Sequence, residues 1–163
     1  MKNGMLLPET ISGEYHGSRL ALYFFYVLTA VTVVRSIVHI VAPDGGAQSI
    51  ATIPLDAFTA NGAATVIHLF ALWGLAQLII GVVYVLAALR YRALIPLLYL
   101  LAVIEYGVRL VLTWWKPLET DGTAPGAVGN YVLVPLLVLM LVLSLVPRRG
   151  GSGPFGPSFS QQG

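Results

Sequence analysis

Within the apolar stretch 93–115, ALIPLLYLLAVIEYGVRLVLTWW, stand two charged residues, Glu105 and Arg109. A charge in the middle of a membrane helix costs roughly 2.5 to 3.5 kcal/mol on insertion scales, so such residues turn toward protein or a wet cavity and take a partner. Four residues apart, with the glutamate on the N-terminal side, the two share a helix face in the better orientation for an ion pair. A third charge of this kind, Arg35, lies in the stretch 20–41, where Thr32, Arg35, Ser36 and His39 fall on one face and could meet Glu105 and Arg109 across a bundle. His68 stands a turn into the next apolar stretch.

Three kinds of chemistry are open to Arg35, His39, His68, Glu105 and Arg109. In the simplest, Glu105 is the shared counter-ion of both arginines and the network fixes helix register. In the second, two arginines against one carboxylate leave a surplus positive charge, and a polar pocket opening outward holds an anionic or quinone-like head group. In the third, His39 and His68 face each other from neighbouring helices and ligate haem b, with an arginine near its propionates. No HxxxH or ExxH spacing supports a metal site. A phosphate-binding Gly-rich loop, GxSxG, HExxH and catalytic-triad spacing are missing too, so no catalytic residue is assigned and no cofactor is required.

The elements that must hold these residues follow from composition. Of 163 residues, 57% are hydrophobic and 10% charged, against roughly 25% charged in an ordinary soluble domain. Such a chain needs the lipid bilayer to cover it. The net charge of +2 is too small and scattered for a nucleic-acid face. The absence of cysteine removes thiol catalysis, disulfides and thiolate metal sites.

The expected fold is all-α, a polytopic four-transmembrane-helix bundle over 19–147, with helices at about 20–41, 64–89, 93–115 and 131–146. Residues 1–18 form a short arm, and the Gly, Ser and Pro-rich tail 148–163 is expected to be disordered. The 42–63 loop, broken by Pro43, Gly45, Gly46, Pro54 and Asn61-Gly62, either lies in the interface or folds back over the bundle. Arg90-Tyr91-Arg92 is the whole turn between the second and third helices, which makes them antiparallel neighbours. Placing both termini in the cytoplasm puts Lys2, Arg19, Arg90, Arg92, Arg148 and Arg149 inside and only Lys116 outside, a strong positive-inside bias. The charged cluster then occupies the outer half of the bundle. On the second helix Gly74, Gln77 and Gly81 share a face with Tyr84, the pattern of a helix-packing or oligomer face.

Four short-looped helices, an arginine just before the first (Arg19), and polar residues gathered in an otherwise apolar bundle resemble the DoxX-like group of small bacterial membrane proteins. The resemblance is one of layout over about 19–146. It implies a four-helix protein of the bacterial inner membrane and, from some members, a link to quinone-dependent redox complexes; no functional residue is carried over.

Three functions compete. The first is a non-catalytic accessory or interaction subunit, with a homo-oligomer or membrane-complex partner. The second is a quinone- or haem-binding redox protein, and the third a small oligomeric transporter. Because nothing in the sequence demands chemistry, the first is the favoured expectation.

Overall fold

The computed structural model describes residues 5–147. Lys2, Arg148, Arg149 and the expected disordered tail lie outside them. Among the described residues the protein is all-helical: α1 (Arg19–Val41), α2 (Ala60–Leu89), α3 (Ile95–Trp115) and α4 (Pro125–Leu145), with single 3-10 turns at Leu55–Ala57 and Arg92–Leu94. Four helices are long and apolar enough to cross a membrane. Helix α2, with 30 residues, is about 45 Å long at ~1.5 Å per residue. That exceeds a ~30 Å hydrocarbon core, so a crossing by α2 requires tilt or projection beyond it.

Local sequence sets the helix ends. Ser18 caps α1, its hydroxyl accepting from Leu20 N at 3.3 Å, and Pro43 follows the last turn. Thr59 caps α2 through Gly62 N at 3.2 Å. This moves the start of α2 back to Ala60, four residues before the expected 64, and puts Asn61-Gly62 inside the helix. The first turn carries amides without helical acceptors in any case, so once a cap supplies one the pair no longer breaks the helix. Helix α4 likewise begins at Pro125 rather than 131, because proline at the first helical position has no N–H to satisfy and its φ suits the helix. Pro96, the second residue of α3, likewise sits in a first turn where its missing N–H costs little.

Helix α1 lies along α2 and also meets α4, while α3 packs on α4. Phe25 of α1 sits between Tyr84 of α2 and Tyr99 of α3, with ring centroids at 5.3 and 5.5 Å. The Tyr99 hydroxyl donates to Ala21 O at 2.6 Å, and the buried alanines Ala21, Ala87 and Ala102 let the helices approach around these rings. Although joined by a short turn, α2 and α3 keep their backbones largely apart. Long side chains therefore bridge them, and that gap is where the charged residues lie.

At one end of the bundle the N-terminal arm is docked rather than free. Ser18 N donates to Leu143 O at 3.0 Å and Ala93 N to Ser12 O at 3.3 Å, joining the arm to α4 and to the turn before α3. At the other end the 42–59 loop folds back as a cap, the second of its two expected arrangements. Ala47, Ile53 and Leu55 are buried against Ala63, Val66, Ile67 and Phe70. The bend uses Gly45 and Gly46 at φ +60 and +75, conformations that suit glycine. Thr52, at φ +56, is held there by Asp121 N on its carbonyl and by its own hydroxyl on Gly122 O, each at 3.0 Å. These bonds tie the cap to the 116–124 loop.

Asp44 organises the cap. Its carboxylate accepts from the amides of Gly46 at 2.9 Å, Gln48 at 3.1 Å and Ser49 at 2.7 Å. Burial alone would raise its pKa, but hydrogen bonds from the Ser49 and Gly46 amides outweigh it and hold the group down at about 2, from an ordinary 3.8. A depressed folded value means the stabilisation is complete above the ordinary carboxyl range and is lost as pH falls toward about 2. Protection of the Gly46, Gln48 and Ser49 amides, taken relative to their intrinsic exchange at each pH, is accordingly expected to fall below pH 3.8. In Asp44→Ala that protection should be low at every pH; protection in that variant as high as in the wild type would refute the role.

Candidate functional site

The charged residues of α1 and α3 meet through a residue of α2. Arg35 Nη2 donates to Gln77 Oε1, Gln77 Nε2 donates to Glu105 Oε1 at 2.6 Å, and Arg109 Nη2 donates to the same carboxylate oxygen. The result is a continuous chain across three helices. Glu105 is thus the direct counter-ion of Arg109 and reaches Arg35 only through the Gln77 amide. An amide suits that place because its oxygen can accept from a cation while its nitrogen donates to an anion.

Two aromatic residues frame the chain. The Arg109 guanidinium carbon lies 4.8 Å from the Trp73 ring centre and 5.1 Å from that of Tyr106. For Arg35 the corresponding distances are 5.7 and 5.8 Å. Two cations sharing two rings draw on the negative ring faces, which offsets part of their mutual repulsion. The side chains of Arg109 and Glu105 remain 22% and 28% accessible, so the pair is shielded without being sealed. Arg35 Nε is buried without a hydrogen-bond partner among the described residues. With two guanidinium groups and one carboxylate, the cluster keeps a formal charge of +1.

The other polar residues of α1 do not join it. Thr29, Thr32 and Ser36 turn their hydroxyls onto carbonyls of their own helix, those of Phe25, Leu28 and Thr32, at 2.7, 2.8 and 2.6 Å. This local bond is the common alternative for buried Ser and Thr in a helix. Of the expected stripe, Arg35 is the residue that hydrogen-bonds to an α2 side chain.

His39 is buried and Nδ1 lies 2.7 Å from Gly45 O. A carbonyl can only accept, so Nδ1 carries the proton. The ring packs on Trp73 and Phe70 with centroids 4.7 and 5.7 Å away. Gly46 closes over it: a Cβ there would stand 3.2 Å from His39 Nδ1. His39 therefore pins the cap to the bundle and touches the charged cluster only through Trp73. His68 is exposed on the outside of α2. The expected facing pair of histidines is not formed, because the α2 turn that carries His68 presents Ile67 and Phe70 to the cap and leaves His68 on the opposite side. Among the described residues, no group of three or more His, Cys, Asp or Glu is placed to hold a metal.

Gly74, Gln77 and Gly81 are all buried, and all face α1. A Cβ on Gly74 would stand 2.7 Å from His39 Cβ and 3.0 Å from Ser36 O, and one on Gly81 would stand 3.0 Å from Val33 Cγ2. Of the two uses expected for this face, packing within the chain is the one realised, and it leaves no room there for a second copy.

Trp73, Tyr106 and the bridging part of Gln77 are the site residues that the sequence reading missed. A signal was present: Trp73 precedes Gln77 by four residues and Tyr106 precedes Arg109 by three, spacings that place each aromatic beside its polar neighbour on one face. No family model, no curated protein and no solved structure matches this chain, so the geometry just described carries the functional reading by itself.

Proposed function

We propose that the chain is a non-catalytic integral protein of the bacterial inner membrane, an accessory or interaction subunit, in which the charged cluster braces three helices. The observation that supports this is the chain Arg35, Gln77, Glu105, Arg109, whose side chains hydrogen-bond one another in sequence across three helices. A redox site of the two-histidine kind has no support in the positions of His39 and His68. The layout of four short-looped helices supports placing the protein with the DoxX-like group. Arg19, Arg90 and Arg92 at the arm end against Lys116 at the capped end support a cytoplasmic arm.

The deciding experiment is an absorption spectrum of the purified protein, air-oxidised and then reduced with dithionite, together with an organic extract of the same sample. A featureless spectrum and an extract without quinone are expected; a Soret band or stoichiometric quinone would sink the bracing reading. Orientation is open to cysteine labelling, since the native chain has no cysteine. A cysteine at Thr120 should react with an impermeant maleimide from the periplasmic side, and one at Tyr91 only after the membrane is opened.

A further inference from the structure

Beside the brace, a cavity of about 760 Å³ opens between the end of α3, the 116–124 loop and the start of α4. Arg109, Lys116 and Asn130 give it a polar wall, Leu112 and Leu118 an apolar one, and its lining includes no carboxylate among the described residues. Arg109 therefore has two surroundings: one of its nitrogens is held by Glu105, and the residue also borders the cavity. Arg109, paired with Glu105 on one side, and Lys116 thus both border a space whose described lining holds no carboxylate.

The depth of this space is marked by Trp114 and Trp115, which are 68% and 74% exposed. Trp114 Nε1 donates to the Tyr131 hydroxyl at 2.9 Å and so joins the end of α3 to α4. Exposed tryptophans gather at head-group level in a bilayer. One turn deeper on α3, on the Leu112 face, Val108 is exposed as well. The polar part of the cavity thus lies where lipid phosphates lie, and an apolar track leads from it toward the hydrocarbon.

We infer that this cavity binds the phosphate head group of an anionic phospholipid, held between Arg109 and Lys116, with an acyl chain running down over Leu112 and Val108. The site requires α3 and α4 to cross a bilayer, and it is independent of whether the protein is an accessory subunit.

The test is a lipid titration of delipidated protein followed by native mass spectrometry, using phosphatidylglycerol and phosphatidylcholine of matched chains and, separately, inorganic phosphate. Phosphatidylglycerol is expected to bind in preference to phosphatidylcholine. In Lys116→Gln that preference should fall about fivefold, the size expected for one lysine beside an anionic lipid, with the thermal midpoint unchanged. Equal binding of the two lipids, or an unaltered preference in Lys116→Gln, would overturn the assignment. Displacement of phosphatidylglycerol by millimolar phosphate would overturn it too, making the cavity an ion site. Lys116 lies outside the brace, so failure of the lipid site and failure of the bracing reading give different results.

Discussion

Glu105→Leu is expected to destabilise the protein by about 3 to 5 kcal/mol, the usual cost of leaving a buried charge without its partner. Loss of this carboxylate leaves two guanidinium groups over the same two rings, Trp73 and Tyr106, with no anion between them. Arg35→Met should cost far less, about 1 kcal/mol, because interhelical hydrogen bonds in membrane proteins are modest and the Glu105 and Arg109 pair survives. The asymmetry arises because Arg35 is joined through a neutral amide, whereas Glu105 is the one anion of the four-residue cluster. Replacing all three charges together, Arg35→Met with Glu105→Leu and Arg109→Met, should recover most of the loss, since a matched apolar set of similar volume is often as stable as a buried ionic one. Thermal unfolding in a mild detergent gives the three values. A triple variant as unstable as Glu105→Leu would mean that the cluster does more than brace, and Arg35→Met as harmful as Glu105→Leu would mean that Arg35 is a true ionic partner.

The four helices could be read from hydropathy because each is a long apolar run with polar punctuation at both ends. Their starts were less legible where a cap overrides a breaker: Thr59 brings Asn61-Gly62 into α2, and Pro125 opens α4 ahead of two glycines. The partners of the charged cluster were half legible. Spacing within one helix paired Glu105 with Arg109, and depth brought Arg35 to the same level. Rotation about the helix axis between elements was not available from either. It decides that Gln77 stands between Arg35 and Glu105, and that His68, at a plausible depth, points away. The docking of the arm was hard to read for a different reason: it rests on backbone bonds from Ser18 and Ala93 and on a close approach of Gly17 to Ser144 O, neither of which hydropathy records.

Gly74→Leu is expected to be strongly damaging, because it acts where α1 packs against α2 without space for a Cβ. Overpacking in a core commonly costs 1 to 3 kcal/mol when side chains can move aside. At Gly74 the obstacles are His39 Cβ and the Ser36 carbonyl, 2.7 and 3.0 Å from the position of an added Cβ, and a backbone carbonyl can yield only if the whole helix moves. Separating the helices would also pull His39 from Trp73 and from Gly45 O, loosening the cap, and would lengthen the reach from Arg35 to Gln77. A loss of at least about 3 kcal/mol follows, read as a lower thermal midpoint and poor recovery of monodisperse protein. Gly107→Leu on α3 is the matched control. Nothing lies within 4 Å of a Cβ there, so a change within about 0.5 kcal/mol is expected. A Gly74→Leu protein that folds as well as the Gly107→Leu control, and differs only in oligomeric mass by light scattering, would show that this face of α2 meets another copy. The close approach of α1 makes the opposite result the expected one: the glycine face is filled from within the chain, and any partner must dock elsewhere on its surface.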